Sequence, residues 1–261
     1  MLATAALPTL SSSAAAALDA VLLSPRVGFT LSALVECAGL SVATAIAAAF
    51  PAASHARAIV VCGPGNNGLD GLVAARWLAA FRYTPTVVLP RRSRAQPALA
   101  EAALAALAAA GVPVLAAVPP LAGGGADLLV DALFGFSAAG APREPYAAAL
   151  DAMVAAQRRG GNGSAAAAAL EATGDGGSSG GGGIPVVSVD IPSGWEVDGA
   201  VAGALRPEML ISLTAPKPCA AAFAGQHYIA GRFVPREVAR EFGIEPLTEL
   251  YAGSELVVRV R

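Results

Sequence analysis

One lysine, Lys217, is all that this chain of 261 residues contains, and the other 16 of its 17 basic residues are arginines. Histidine, cysteine and tryptophan are nearly as scarce, at 2, 3 and 2 residues. Each scarcity excludes something. Cys37, Cys62 and Cys219 are odd in number and stand at no zinc or redox spacing, so neither a disulfide framework nor a cysteine metal site is expected. The thiols read as reduced, in an intracellular protein. His55 falls in a loop, and His227 has no metal-type partner at ligand spacing. A net charge of −2 and a pI near 5.7 leave no basic field, so no nucleic-acid partner is expected. The mean hydropathy of +0.60 is largely alanine. No window holds the ~20 strongly apolar residues of a membrane span, so no membrane partner is expected. The stretch 1–17 lacks the arginines of a transit peptide and the early positive charge of a secretory signal. The chain is expected to start at or just before its folded domain, with the cytoplasm as the first compartment. A mitochondrial or plastid address stays open should the N-terminus be incomplete.

Two phosphate-binding patterns are also missing. The run Gly63-Pro64-Gly65-Asn66-Asn67-Gly68-Leu69-Asp70-Gly71 matches neither G-x-G-x-x-G nor the P-loop, since no Lys-Ser/Thr follows its last glycine. What it does offer is a strand, Ala58–Cys62, a loop with two amides and a carboxylate, and a helix predicted over 72–81. Glycines admit a ligand close to the backbone, and a helix N-terminus presents unpaired N–H groups to an anion. A glycine-rich turn without ligand is the other reading of this loop taken alone. Along the chain, helices are predicted over 12–23, 31–50, 97–110 and 146–158. Strands are predicted over 86–89, 112–115, 128–133, 185–189 and 210–213. Strands apolar throughout and separated by helices point to a Rossmann-like three-layer α/β/α sandwich with a mostly parallel sheet. The whole chain, 1–261, reads as one domain. A Gly/Ala/Ser-rich insertion over 159–183 is expected to be disordered, because it cannot bury enough apolar area to offset its ordering entropy.

Ligands of such sheets sit at the carboxyl ends of the strands. Three further loops lie there: Asp131-Ala132-Leu133-Phe134-Gly135-Phe136-Ser137 running on to Ala141, Asp190-Ile191-Pro192-Ser193-Gly194-Trp195, and Thr214-Ala215-Pro216-Lys217. With Asn66, Asn67 and Asp70 they gather three carboxylates, two amides, hydroxyls and an ammonium on one edge. Lys217 reads either as a point charge suited to phosphate or as a chance survivor of the arginine bias.

These four loops, in this order, together with Leu34-Val35-Glu36-Cys37-Ala38-Gly39 and Gly231-Arg232-Phe233-Val234-Pro235, resemble the NAD(P)H-hydrate epimerase family (YjeF N-terminal domain). The resemblance implies an isomerase of metabolite repair. It would interconvert the R and S epimers of hydrated NADH and NADPH at ring carbon six, for a separate ATP-dependent dehydratase that takes the S form. It implies a substrate site of Asn66, Asn67, Gly68, Leu69, Asp70, Gly135, Phe136, Ser137, Ala138, Ala139, Gly140, Ala141, Asp190 and Lys217. It also implies a potassium ion on Asn67, Asp131 and Ser193, whose oxygens suit a hard cation. Asp190 is the expected proton-transfer group; its other reading is an acceptor capping the Ile191–Gly194 turn. A homodimer through the helix that carries Glu36 is expected. The sequence departs from the family at Leu69, where a second glycine is usual, at Ala139 and Ala141, where lysine and aspartate are, and at Trp77, where histidine is. Leu69 is expected to crowd the loop and to oppose any positive φ there. The alternative to the epimerase is therefore a nucleotide- or protein-binding member with weakened turnover. An ordinary nicotinamide dehydrogenase is disfavoured by the missing G-x-G-x-x-G and by Leu89-Pro90-Arg91-Arg92, where an acidic residue should end the second strand.

Overall fold

Short runs of valine, isoleucine and leucine, buried on both faces, become the strands of one sheet. The computed structural model describes residues 7–93, 95–121, 125–138, 140–158, 183–199 and 203–261. In chain order these hold α1 (Ser12–Leu22), α2 (Leu31–Ala49), β1 (Ala58–Cys62), α3 (Asn66–Ala80), β2 (Thr86–Val88), α4 (Pro97–Ala109), β3 (Val114–Leu115) and β4 (Leu128–Ala132). Then follow α5 (Tyr146–Arg158), β5 (Val186–Val189), β6 (Met209–Leu213), a 3-10 turn (Pro218–Ala222), β7 (Gln226–Ala230), α6 (Arg236–Glu241), α7 (Glu245–Thr248) and β8 (Val257–Arg259). The eight strands form a single sheet in the order β3-β2-β1-β4-β5-β6-β7-β8. All neighbours are parallel except β7 and β8.

Strand alternation makes the layers. Val60, Cys62, Val130, Ala132, Val187, Val189 and Ile211 pack on one face with α2, α3 and α4. Their neighbours Ile59, Val61, Leu129, Leu133 and Val186 pack on the other face with Ala149, Met153 and Val154 of α5. The expected α/β/α arrangement is what the chain adopts. Helix α1 starts at a Ser11 cap whose hydroxyl accepts from the Ala14 N–H at 3.2 Å, and Thr30 caps α2 on Ala33 in the same way. The Leu10 N–H donates to the Pro216 carbonyl at 2.9 Å, which brings α1 to the C-terminal edge of the sheet. There Leu18 and Leu22 share a core with Ala215, Val238 and Leu247.

Three expectations are corrected. Helix α3 begins at Asn66, six residues earlier than predicted, so Asn66 to Gly71 are helix rather than loop. Glycine's weak helix propensity is overridden by packing: a Cβ on Gly71 would lie 2.6 Å from the Ala132 Cβ and 2.9 Å from the Cys62 Sγ. Strands β7 and β8 were not predicted. The first opens on Gln226 and His227, and the second is three residues of which none is buried. Helix α2 does reach the length and apolarity of a membrane span, contrary to the expectation from composition. Half of that window is buried inside the protein, with Val42 and Ile46 in the core beside α3. The insertion, except Gly183, and Ala139 lie outside the described residues.

Candidate functional site

The site is set by how tightly α3 closes on the end of β1. Any side chain on Gly63 would collide with the Leu133 carbonyl, and any on Gly68 with the Gly63 carbonyl. These two glycines let the helix N-terminus sit directly on the strand end. Gly65, the N-cap, offers no side-chain acceptor. The amides of Asn66, Asn67 and Gly68 therefore have no intrahelical acceptor and lie at the positive end of the helix. Asn66 is exposed there, whereas Asn67 and Asp70 are buried. Leu69 is 2% exposed and belongs to the α2–α3 core, with no positive φ. The expected crowding of a loop by Leu69 is thus overturned: the helix turns that side chain away.

Asp131, at the end of β4, is wholly buried. Both of its oxygens are occupied. Oδ2 accepts from the Ser188 hydroxyl at 2.9 Å and the Ser193 N–H at 2.8 Å; Oδ1 accepts from the Ser193 hydroxyl at 2.6 Å and the Leu133 N–H at 3.3 Å. Burial raises its pKa, and these four donors oppose the rise. Ser188 faces Asp131 because the two are register partners on adjacent strands. Close by, the Asn67 Nδ2 donates to the Val189 carbonyl at 3.3 Å, and its Oδ1 is buried with no partner among the described residues.

Asp190 follows β5 and adopts φ +65°, a left-handed conformation that aspartate tolerates better than most residues. Its own N–H donates to Ile211 O at 2.7 Å, which holds the turn. Its Oδ1 takes a hydrogen bond from the Lys217 Nζ at 2.5 Å, and its Oδ2 one from the Phe136 N–H at 3.1 Å. Lys217, 3% exposed, also donates to the carbonyls of Leu213 at 3.0 Å and Ala215 at 3.2 Å, with its ammonium 5.4 Å from the Phe136 ring centroid. Gly135 is needed at this junction, since a Cβ there would stand 3.2 Å from the Asn67 Cβ and 3.4 Å from the Asp190 Oδ2. Thr214, at φ +67°, is a second strained strand end, and a β-branched one.

Asp70 has no hydrogen-bond donor among the described residues although it is 7% exposed. Burial, then Asp190, then Asp19 hold its pKa well above the usual 3.8, with Lys217 pulling the other way. The structure thus brings together Asn67, Asp131, Gly135, Phe136, Asp190, Ser193 and Lys217, with Asp70 buried within their electrostatic reach. Ser137, Ala138, Gly140 and Ala141 lie exposed on the strand β4–α5 connection, away from these contacts. Sequence reasoning missed Ser188, whose signal is a hydroxyl inside the apolar run Val186–Val189, and Asp19. The latter is the sole charge on α1, half-buried, and felt electrostatically by Asp70; burial raises its own pKa, and Lys217 lowers it. Glu36, expected at a subunit interface, accepts within the chain from Arg76 and from the Trp77 Nε1 at 2.8 Å.

Comparison with known proteins places this arrangement. Residues 31–219 match the family described as YjeF-related protein N-terminus. A protein of Fusarium vanettenii named NAD(P)H-hydrate epimerase is 37% identical over 260 residues, which cover 98% of this chain and 97% of that one. A protein of Arabidopsis thaliana named pyridoxine/pyridoxamine 5'-phosphate oxidase 1, chloroplastic, is 39% identical over 251 residues, 94% of this chain. The chain spans 43% of that relative's length. The crystal structure of yeast ynu0 superposes with a TM-score of 0.80 at 34% identity, covering 97% of this chain and all of that one.

Proposed function

The chain belongs to the YjeF-related N-terminal family, and from that premise we propose that it is an NAD(P)H-hydrate epimerase, an isomerase acting on the R and S hydrates of NADH and NADPH. The end-to-end match to the Fusarium epimerase carries this reading, because both chains are covered almost completely. The Arabidopsis relative carries more than twice the length, so its oxidase name belongs to that larger protein. All eight strands share one sheet, which supports reading the chain as a single domain.

The geometry supports the chemistry in three parts. The open amides at the start of α3 bind the anionic diphosphate. Phe136, with the exposed Ser137, Ala138, Gly140 and Ala141, covers the substrate from the β4 side. Asp190, held by Lys217, is the carboxyl that gives a proton to the departing ring hydroxyl and recovers one from the water that adds to the other face. A potassium ion fits the residues present: Asn67 Oδ1 is a buried oxygen without a donor, and the Asp131 charge is met only by neutral donors. Asn67, Asp131 and Ser193 would hold it, and it would supply fixed positive charge near the diphosphate. Among the described residues no group of three or more His, Cys, Asp or Glu is disposed to hold a metal, so an oxygen-only set of mixed type is the one available. The product serves a separate ATP-dependent dehydratase specific for the S hydrate, and the protein works as a homodimer inside the cell. The chloroplastic name of the Arabidopsis relative favours a plastid as the alternative to the cytoplasm.

The test mixes purified protein with the R hydrate of NADPH and excess S-specific dehydratase, in potassium at neutral to mildly alkaline pH. Recovery of the reduced-nicotinamide absorbance well above the enzyme-free rate is expected. A rate equal to the blank, with nucleotide still bound, would leave a binding protein in place of an enzyme.

A further inference from the structure

Strands β6 and β7 end at Thr214 and Gly231, which adopt φ +67° and +105°. Gly231 has to be glycine, since a Cβ there would stand 2.8 Å from the Thr214 nitrogen. The α6–α7 segment faces these two strand ends, and a cavity of about 310 Å³ lies between. We propose that this cavity is a second ligand site, for a small planar ring bearing one anionic group. Its occupant acts on the Lys217–Asp190 pair through Thr214.

The lining has donors to spare. Gly231 is buried, and its N–H meets no acceptor among the described residues, a rare condition for a backbone group. The Thr214 hydroxyl has no partner among them either. Arg232 uses its Nη1 on the carbonyls of Gly253 and Glu255, which leaves Nε and Nη2. Arg236 uses Nε and Nη2 on Glu245 and Glu249, which leaves Nη1. Glu249, the one carboxylate in the lining, is thus already turned to Arg236, and exposed pairs of this kind are weak. Spare donors select an acceptor, and two guanidinium groups among them select an anionic one. Val234, Ile244 and Leu247 add the apolar wall on which a ring packs. The volume is at the small end for ligand sites, which suits one substituted ring and not a dinucleotide.

The cavity stands apart from the α3 amides. Helix α3 follows β1, and β6 and β7 are the third and fourth strands from it, about 14 and 19 Å away at the usual strand spacing. Its link to Asp190 is through the chain itself. Thr214 stands between Leu213 and Ala215, whose carbonyls accept from the Lys217 ammonium at 3.0 and 3.2 Å. The same ammonium holds the Asp190 Oδ1 at 2.5 Å. The Thr214 N–H donates to the Ala230 carbonyl at 2.6 Å, next to Gly231. An anion drawn to the Gly231 N–H and the Thr214 hydroxyl therefore bears on a strained residue flanked by two of the three acceptors of Lys217.

Lys217 is the only lysine of the chain, so labelling lysine with nitrogen-15 reports on it alone. The experiment follows its magnetic-resonance signals in the full chain while phenyl phosphate is added, with inorganic phosphate and benzyl alcohol as the separate halves of that probe. The readout needs no turnover: a protein that fails to epimerise but gives the titration loses the functional reading and keeps this site. Phenyl phosphate should shift the signals saturably, and each half should need about tenfold more. Arg232→Gln and Arg236→Gln should each raise the half-saturating phenyl phosphate about tenfold or more, since each removes a charged donor. Arg236 is exposed, so its variant should fold and show the ligand-free Lys217 signals of the wild type. No saturable shift would overturn the proposal. An undiminished response in both variants would overturn it too, because the anion would then rest on the α3 amides. A response to inorganic phosphate equal to that of phenyl phosphate would overturn the ring-bearing ligand.

Discussion

Asp131 and Asp70 are both buried carboxyls on the C-terminal edge of the same sheet, yet they live in opposite circumstances. Around Asp131 four donors converge from β4, β5 and the Ser193 turn. Around Asp70 there are no donors among the described residues, only the charges of Asp190, Asp19 and Lys217. The first region spends its carboxylate on tying three segments together. The second holds charge that its own hydrogen bonds do not settle, which is the condition under which protons move. Burial alone would have classed the two residues together; the supply of donors is what divides them along this edge.

The largest effect should come from Lys217, which makes an ionised Asp190 tolerable. Lys217→Met leaves that carboxylate buried with one amide donor, and breaking such a pair costs about 3–5 kcal/mol. The urea midpoint should fall accordingly. Adding Asp190→Asn should restore much of the loss, since the orphaned charge goes with it. A double variant no more stable than Lys217→Met would mean that packing, not charge, is what Lys217 provides.

Asp131→Ala comes next, and it tests the other region. Its removal strands the Ser188 and Ser193 hydroxyls and two backbone N–H groups, a loss of about 4 kcal/mol at a cost near 1 kcal/mol for each buried donor. Ser188→Ala removes one donor of four and should cost about 1 kcal/mol. If both variants unfold at the wild-type midpoint, water replaces the network and Asp131 is not the tie it looks to be.

A smaller and more selective effect is the pH dependence of stability. The folded pKa of Asp70 lies above the 3.8 of an ordinary aspartate. Below 3.8 both states carry the proton and Asp70 contributes nothing. As pH rises past that value the unfolded chain releases its proton first, and stability falls until the pH passes the folded pKa. Asp70→Asn should flatten this decline relative to the wild type. Asp131 and Asp19, also raised, keep the rest of the slope in both proteins. An identical slope in the two would place Asp70 among carboxyls that ionise freely.

Much of this was legible beforehand. The runs Ala58–Cys62 and Tyr146–Arg158 end where predicted, because β-branched burial and helical spacing there meet no competing demand. The four loops fall on one edge because parallel strands leave no other choice. What stayed hidden needed contacts between distant segments. The start of α3 is helical only because Gly68 and Gly71 allow it to lie against Gly63, Cys62 and Ala132. Leu69 looked like an intrusion into a binding loop and is a core residue of that helix. The two donor environments of Asp131 and Asp70 could not be told apart in sequence, where each is an aspartate on the carboxyl-end edge of the sheet.

Asp19 gives the smallest and most discriminating prediction. It reaches this edge from α1, docked through Leu10 on Pro216 and through Ser12 on Asp198, whose carboxylate accepts the Ser12 N–H at 2.7 Å. It is half-buried, so water and salt screen its hold on Lys217 and Asp190. Asp19→Asn should change kcat/KM by about twofold, corresponding to ~0.5 kcal/mol, with the change fading as ionic strength rises. A salt-independent change above about tenfold would exceed what a screened neighbour can exert through water. Asp19 would then have to be enclosed with Asp70 and Asp190 when substrate is bound, and the charged half of the edge would comprise three carboxyls around one ammonium.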